Sequence, residues 1–269
     1  MDYEWIGPLG GMVPIRAAQS VSNKAEAPMR YYDTVGGGRR AQRLSSAPMR
    51  EWEFSHRAIS FGEADLLRAL RDGTYGRGPF SLVSTEAQIS NVLTPAQASL
   101  AVPMSATMQT AGPVRFGDTI LPASVAVDIA TGWQPIADYV PVIPGVPVTV
   151  SLWCMTASAA SPHLTVVWRR GDTLDPVSQS VTGSGGGMWQ RLTWQGTPPP
   201  GVDSIRFGPR SSVKFAAGPQ VTWTPRPVAW AGGRGATSVA VDRVEVTPLF
   251  LSGVGEQVAD VTWTALEVG

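Results

Sequence analysis

The sequence is poor in several residue types on which protein chemistry often depends. It has one cysteine, two histidines and only two lysines among its 21 basic residues. A single cysteine excludes an intrachain disulfide, so the fold does not depend on an oxidising compartment. One cysteine and two distant histidines also give no cluster of zinc ligands. The sequence therefore predicts neither a disulfide framework nor a zinc site.

Charge and long apolar runs are scarce as well. Charged residues make up 16% of the chain and the formal net charge is zero, so there is no basic field and we expect no nucleic-acid partner. No apolar run reaches the roughly 18 residues of a membrane-spanning helix, so we expect no membrane insertion. The acidic start, Met1–Trp5, predicts no signal peptide. Balanced charge suits a subunit of an assembly, although an ordinary neutral protein shares it.

Glycine, proline and tryptophan are abundant. The chain has 29 glycines, 23 prolines and 10 tryptophans, a composition typical of a turn-rich, mainly β protein. We predict an N-terminal β-sandwich-like domain with one short helix, followed by a jelly-roll β-sandwich. The predicted boundaries are 1–95 for an assembly domain, 96–113 for a linker or extended arm, 114–250 for the jelly roll and 251–269 for a C-terminal strand or tail.

The clearest local signal is a helix that begins after Ser60. Ser60 and Glu63 form a capping-box pattern, an apolar face follows, and Gly73 is placed to end the helix in a left-handed conformation. Upstream, Gly36–Gly38 precedes two arginines. This triplet lacks the lysine and the helix of a phosphate-binding loop, so it predicts a hairpin turn. Phe80–Val83 predicts a strand.

The second half alternates with a period of two. Val148, Val150 and Leu152 predict an inward-facing row, which directs Trp153 to the opposite face of the same strand. Turn residues separate several such strands, as in a sandwich or jelly roll. Val258–Leu266 predicts one further strand, which completes a sheet or pairs with a neighbouring chain.

Five segments in this half resemble the carbohydrate-binding-module-like jelly roll, also called the galactose-binding-like sandwich. They occur in the same order as in that fold, and Val148 departs from it because an aromatic residue is usual there. The resemblance spans residues 114–250 and implies the fold more strongly than any ligand. The matching segments are Trp133–Ile136, Val142–Trp153, Trp189–Thr193, Thr197–Pro199 and Val241–Glu245.

The first half is similar to the first domain of minor tail proteins of long-tailed actinobacterial phages. Three motifs carry the resemblance: Arg50–Trp52, Gly73–Phe80 and Asn91–Pro95. A jelly roll often follows this domain in such proteins. The resemblance implies a virion structural protein that forms a homo-oligomer and contacts other virion proteins.

Three residues are candidates for binding a host cell-surface glycan. Trp153, Trp189 and Arg191 would project from one face of the sandwich, where an indole ring stacks on a sugar and a guanidinium donates hydrogen bonds. The alternative assigns them to a second layer of the sandwich or to a subunit interface, where tryptophan and arginine are enriched. Jelly rolls of this kind often hold a structural calcium, so Asp242 is a candidate metal ligand.

No catalytic signature is apparent. His56 and His163 have no recognisable nucleophile partner, and Cys154 belongs to the inward row, where a buried and inert thiol is expected. Paired carboxylates could support glycoside hydrolysis, but the sequence selects no pair. The candidates by residue type are Asp118, Asp128, Asp138, Asp172, Asp175, Asp203, Asp242 and Glu245.

These observations predict a non-enzymatic protein without a cofactor, apart from the calcium considered above. We expect it in the virion, as a minor tail protein that oligomerises through its first domain and displays the jelly roll for adhesion or reinforcement. Two alternatives stay open: a capsid decoration or fibre-anchoring protein, and a carbohydrate-active enzyme or its binding module.

Overall fold

The computed structural model describes most of the chain. The described residues are 2–26, 29–33, 37–43, 49–100, 108–127, 132–156, 160–210, 212–250 and 257–268. They form many antiparallel strands and three short helices, which confirms the predicted mainly β fold. The chain divides into two compact units, which are Met1–Pro8, Val13–Leu82 and Thr237–Gly269 for the first and Leu9–Met12 and Val83–Ala236 for the second.

The elements are numbered in chain order. The helices are α1 (Phe61–Arg71), α2 (Thr85–Ser90) and α3 (Pro95–Ala98). The strands are β1 (Tyr3–Gly7), β2 (Val13–Arg16), β3 (Ser20–Glu26), β4 (Met29–Asp33), β5 (Arg39–Arg43), β6 (Met49–Ser60), β7 (Phe80–Val83), β8 (Gln109–Ala111), β9 (Val114–Phe116), β10 (Thr119–Leu121), β11 (Ser124–Ala126), β12 (Ala137–Pro141), β13 (Val148–Thr156), β14 (His163–Arg170), β15 (Thr173–Thr182), β16 (Gln190–Gly196), β17 (Ser204–Pro209), β18 (Val213–Thr222), β19 (Ala236–Phe250) and β20 (Gln257–Glu267).

The first unit is built on a seven-stranded sheet in the order β2-β1-β7-β19-β20-β6-β3. Strand β6 buries alternate residues on one face, and α1 packs against β6 and β20. The predicted capping box is present: the Glu63 amide donates to Ser60 Oγ at 3.2 Å, and the Ser60 amide donates to Glu63 Oε2 at 3.0 Å. Leu67 and Leu70 are buried on the inner face of the helix.

The last described strand lies inside this sheet. The predicted strand at Val258–Leu266 is confirmed as β20, which pairs with β19 and β6. Trp263 of β20 is fully buried and stacks on Phe54 of β6 with ring centroids 4.2 Å apart. The strand therefore completes a sheet of its own chain.

The domain boundaries differ from the prediction. The predicted jelly roll extended to residue 250, whereas β19 pairs along its length with β20, for example Val244 opposite Trp263. Residues 237–250 therefore pack in the first unit. In chain order, the second unit is therefore inserted between two parts of the first. The boundary was not predictable from local alternation, because the packing of β19 is decided by its long-range pairing with β20.

The segment around the glycine triplet forms a hairpin of its own. Strands β4 and β5 are antiparallel, with Tyr31 opposite Ala41 and Tyr32 opposite Arg40. This agrees with the predicted hairpin, although residues 34–36 lie outside the described part of the chain.

The second unit is a sandwich of two sheets. One has five strands in the order β16-β13-β18-β11-β8, and the other has four in the order β12-β17-β14-β15. Trp168 of the four-stranded sheet meets Trp194 of the five-stranded sheet edge to face, with ring centroids 5.2 Å apart. The predicted inward row of β13 is fully buried between the sheets. The core of the unit thus lies between the two sheets.

The predicted linker at 96–113 is partly regular. Pro95 begins the short helix α3, which Thr94 caps by accepting from the Gln97 amide. Strand β8 pairs with β11 at the edge of the five-stranded sheet. Residues 101–107 lie outside the described part of the chain. In the described part, no helix is both long and apolar enough to cross a membrane.

Candidate functional site

The structure brings three of the four predicted site residues together. Trp153 and Arg191 are directly opposite each other on β13 and β16, on the outer face of the five-stranded sheet. Trp189 immediately precedes β16. Because residues directly opposite in an antiparallel pair share a face, the predicted outward direction of Trp153 and Arg191 is correct.

Trp153 is covered by another aromatic side chain. Phe116, at the end of β9, stacks on it with ring centroids 4.0 Å apart and an angle of 7° between the rings. Trp189 meets Phe116 edge-on at 5.5 Å, and Phe215 lies 6.4 Å from Trp189. We call these four half-buried residues the aromatic cluster. Phe116 occupies the ring face on which a sugar would stack.

Arg191 is engaged within the protein. Its Nη2 lies 2.6 Å from Gln220 Oε1, 2.8 Å from the Val228 carbonyl oxygen and 2.9 Å from Ser151 Oγ. Gln220 in turn donates to the Ala229 carbonyl at 2.9 Å. Burial lowers the pKa of Arg191. Arg191 therefore fixes the segment at Val228 and Ala229 over the sheet, and its role in ligand binding stays a prediction.

Asp242 is not part of this site. It is an exposed residue of β19 and belongs to the first unit, so its predicted place in the last strand of the jelly roll is wrong. The register of β19 with β20 is the physical reason. Among the described residues, no three carboxylate, histidine or cysteine side chains converge on one point where a metal could bind.

A cleft lies on the outer face of the other sheet. It has a volume of about 400 Å³ and combines one indole ring with hydroxyl, carboxylate and guanidinium groups. The lining residues come from the segment before β12, from β14 and β15, and from the residue after β17. They are Gly132, Trp133, Thr165, Val167, Leu174, Asp175, Pro176, Ser178 and Arg210.

Beside the cleft, ion pairs hold Trp133 in place. Asp138 of β12 accepts two hydrogen bonds from Arg169 Nη1, at 3.1 and 3.2 Å, and lies 3.4 Å from Arg206 Nε. The Arg206 guanidinium lies over the Trp133 ring, 5.1 Å from its centroid. Arg169 is buried, so this pair is shielded from screening by salt. The cleft thus has a rigid aromatic wall.

The backbone also packs closely at this wall. Gly208 of β17 lies opposite Thr165, on the cleft side of the sheet. A Cβ atom at Gly208 would lie 2.0 Å from the Gln134 carbonyl oxygen. The segment that carries Trp133 therefore lies directly on the β17 backbone, which only glycine permits.

The cleft is lined by groups suited to sugar recognition. Asp175 Oδ1 accepts from the Val177 amide at 2.9 Å, and its other oxygen lies 4.0 Å from Arg170, so the carboxylate is oriented. Thr165 and Ser180 share a hydrogen bond at 3.0 Å. An aromatic face with a few oriented polar groups is the usual composition of a small-molecule site. Such a set can stack on a pyranose ring and bond its hydroxyls.

The candidate catalytic groups are in structural positions. Trp263 Nε1 donates to His56 Nε2 at 2.8 Å, and burial lowers the pKa of His56. His163 Nδ1 is hydrogen-bonded to Thr182 Oγ1 at 2.9 Å. Cys154 is buried, and burial raises the pKa of its thiol. The predicted burial of Cys154 is correct, while the absence of enzymatic activity stays a prediction.

The cleft was missed by the sequence reasoning. In the sequence, Trp133 belongs to a jelly-roll motif and Asp175 is one of eight candidate carboxylates, with nothing to connect the two. What joins them is the pairing of β14 with β15 and β17. The sequence alternates Leu164, Val166 and Trp168 with Thr165, Val167 and Arg169, and the arginine that ends this run is a local signal of a polar site.

Comparisons with known proteins give structural similarity only. No protein-family model matches the sequence, and no curated protein matches it. A family 16 carbohydrate-binding module is 12% identical with a TM-score of 0.33, over 44% of this chain and 87% of that one. A carbohydrate-binding module of Cellvibrio mixtus lichenase 5A, in complex with cellotriose, is 14% identical with a TM-score of 0.29, over 43% of this chain and 90% of that one.

A third structure comes from a phage. The enzymatically active domain of bacteriophage CBA120 tailspike protein 4 is 12% identical with a TM-score of 0.37, over 57% of this chain and 23% of that one. All three TM-scores lie below 0.5, so the chemistry of the site is inferred from its own side chains.

Proposed function

We propose that this chain is a non-enzymatic virion structural protein, a minor tail protein, whose second unit binds glycan. The first unit assembles with other copies, and the second displays the cleft of the four-stranded sheet toward the host surface. The observation that carries the proposal is the cleft itself, which a fixed indole ring lines together with oriented hydroxyl and carboxylate groups.

The cleft, and not the aromatic cluster, is the proposed glycan site. Stacking on a sugar requires an uncovered ring face, and Phe116 already lies parallel to Trp153 at 4.0 Å. Arg206 lies over one face of the Trp133 ring, and the ring also lines an open cavity large enough for a sugar residue. Contacts of this size bind weakly, but several linked copies raise the effective affinity, so an assembled protein can adhere through weak sites.

A glycan array with two matched variants tests the site. Trp133→Ala and Trp153→Ala each remove one half-buried indole, one from the cleft and one from the aromatic cluster. We expect Trp133→Ala to abolish the glycan signal and Trp153→Ala to leave it within about twofold, since distant sites act independently. Unfolding curves of both variants serve as the folding control. Loss of signal in Trp153→Ala alone would transfer the site to the aromatic cluster.

Two further measurements test the rest of the proposal. Localisation in images of intact particles would place the protein in the tail, and a position on the head would instead favour a capsid decoration protein. Incubation with host cell-wall polysaccharide should release no sugar. Hydrolysis that is lost in Asp175→Asn would contradict a non-enzymatic role.

A further inference from the structure

Of the described residues that line the cleft, two are charged, and their backbones lie at its opposite ends. The amide of Arg210 donates at 3.1 Å to the carbonyl oxygen of His163, where β14 begins. Leu174, which precedes Asp175, is opposite Arg169 near the other end of β14. An extended strand rises about 20 Å over the distance from His163 to Arg169. The guanidinium and the carboxylate are therefore attached at different ends of the cleft.

The carboxylate at one end already has partners within the protein. Asp175 Oδ1 accepts from the Val177 amide at 2.9 Å, and its Oδ2 lies 4.0 Å from Arg170. Arg170 is itself held in place, because it donates to the Pro200 carbonyl oxygen at 2.9 Å. A neighbouring cation therefore compensates part of the charge of Asp175.

The guanidinium at the other end has no such partner. Arg210 is exposed, and within the described part of the chain its side chain makes no hydrogen bond, ion pair or ring contact. The nearby arginines differ, since Arg169 and Arg206 share Asp138. A guanidinium has five N–H donors in one plane. Those of Arg210 are left to water, which an anionic group of a ligand can replace.

This free guanidinium lies at the same end of the cleft as the indole wall. The amide of Gln134, next to Trp133, donates to the Pro209 carbonyl oxygen at 3.0 Å. Trp133 and Arg210 are thus carried by two segments that are hydrogen-bonded to each other, and both residues line the cleft. A sugar that stacks on the indole has its substituents at the edge of its ring. An anionic substituent there can reach the guanidinium.

We propose that the cleft binds an acidic sugar residue, whose carboxylate or phosphate pairs with Arg210. This inference rests on the proposed glycan-binding function and names the class of sugar that the cleft selects. A guanidinium pairs with either anion through two parallel hydrogen bonds, which are stronger than those between neutral groups. Repulsion by Asp175 is weak, because Asp175 is attached at the other end and salt screens charges beyond about 8 Å. A neutral sugar stacks on Trp133 and leaves Arg210 unpaired.

Matched oligosaccharides test this preference on the full chain by calorimetry. The probes are a hexuronic-acid oligosaccharide, the same oligosaccharide with its carboxyl groups reduced to alcohols, and the reduced form carrying a phosphate ester. We expect an acidic form to bind about tenfold more tightly than the neutral form, and this advantage to shrink as salt is raised. The tighter of the two acidic forms identifies the anion. Equal binding of all three forms would overturn the inference and leave the proposed function standing, whereas binding of none would overturn both.

Variants of the arginine test its role. Arg210→Gln should bind acidic and neutral forms equally, and it should fold normally because the two hydrogen bonds of Arg210, to His163 and from Val213, involve only its backbone. Arg210→Lys should keep a smaller preference, because an ammonium has the charge without the planar fork. The control Arg226→Gln removes an exposed arginine of the same unit outside the cleft and should keep the full preference. A preference that survives in Arg210→Gln, or an acidic form that still binds to Trp133→Ala, would overturn the inference.

Discussion

The two outer faces of the second unit have similar residues but different coverings. On the five-stranded sheet, Phe116 lies on Trp153, and Arg191 holds the segment at Val228 and Ala229. On the four-stranded sheet, Trp133 lines an open cleft, with arginines and Asp138 beside it. A tryptophan and an arginine on a sheet face therefore do not define a binding site by themselves. Whether such a tryptophan can contact a ligand depends on whether another side chain of the protein packs on its ring.

The arginines on the two faces also differ in their partners. Arg191 donates to neutral oxygens of its own unit. Arg169 is paired with a carboxylate that is also close to Arg206. Hydrogen bonds from Arg191 to neutral oxygens are enough to hold the segment at Val228 on the five-stranded sheet. Beside the cleft, the charged network of Arg169, Asp138 and Arg206 keeps the Trp133 side rigid although no further segment packs on it.

The largest effect is expected from breaking the ion pair beside the cleft. Arg169→Met removes the two hydrogen bonds that Asp138 accepts from Arg169 and leaves this largely buried carboxylate with Arg206 as its remaining cation, which destabilises the protein strongly. We expect a loss of about 3 kcal/mol in the free energy of unfolding, measured by urea denaturation. Arg191→Met, the matched change on the covered face, should cost less. Equal costs would show that the two networks do not differ as described.

The next effect is expected at the glycine beneath the cleft wall. Gly208→Ala would place a Cβ atom against the Gln134 carbonyl, so the Trp133 segment must shift. We expect a loss of about 2 kcal/mol together with weaker glycan binding, measured by denaturation and on the array. Gly171→Ala, where no atom lies within 4 Å of the added Cβ, is the control for the local substitution, although its φ of +56° adds some backbone strain. Unchanged glycan binding by Gly208→Ala would show that the position of the Trp133 segment does not affect glycan binding.

A smaller effect is expected from uncovering Trp153. Phe116→Ala removes one member of a stacked pair, which should cost about 1 kcal/mol. The exposed indole should become more accessible to acrylamide, measured as quenching of tryptophan fluorescence, with Trp153→Phe as the variant that removes the responding group. If the five-stranded sheet of Phe116→Ala bound glycan, the packing of Phe116 on Trp153 would by itself explain why the two faces differ in glycan binding.

Mild acid should have the smallest effect on the second unit. The group expected to respond to acid, His56, belongs to the first unit. Burial lowers the pKa of His56 in the first unit, while a backbone contact with Arg16 and the charge of Glu63 act in the opposite direction. His56 accepts from Trp263 only when its imidazole is neutral. A depressed folded pKa means that the stability of the first unit falls as pH drops below the ordinary pKa of histidine, about 6.5. His56→Gln should remove this dependence, while glycan binding by the second unit should change little over the same range.

Local signals in the sequence predicted local structure well. The capping box at Ser60 and Glu63 and the inward row of β13 depend on residues a few positions apart, and both are present. The position of β19 depends on pairing with β20 and was predicted wrongly. The cover on Trp153 comes from Phe116, distant in the chain, so no pattern around Trp153 could indicate it.

The cleft could not be predicted for the same reason. Its wall, floor and rim come from four separate segments, and only the register of β14 with its two neighbours brings them together. Each segment alone reads as an ordinary strand or turn. The composition did predict the class of fold, because frequent turns and a period of two are properties of the whole chain.

The strand order of the first unit has a consequence for synthesis on the ribosome. Strands β19 and β20 lie between β7 and β6 in the sheet, yet they are translated only after the entire second unit. Until then, β1, β2 and β7 form one fragment of the sheet, and β3 and β6 form another. Because domains fold largely as they emerge, the inserted sandwich is complete while the surrounding unit still exposes two unpaired edges. The nascent chain is therefore most vulnerable to aggregation in the interval between the last residue of the sandwich and the arrival of β20.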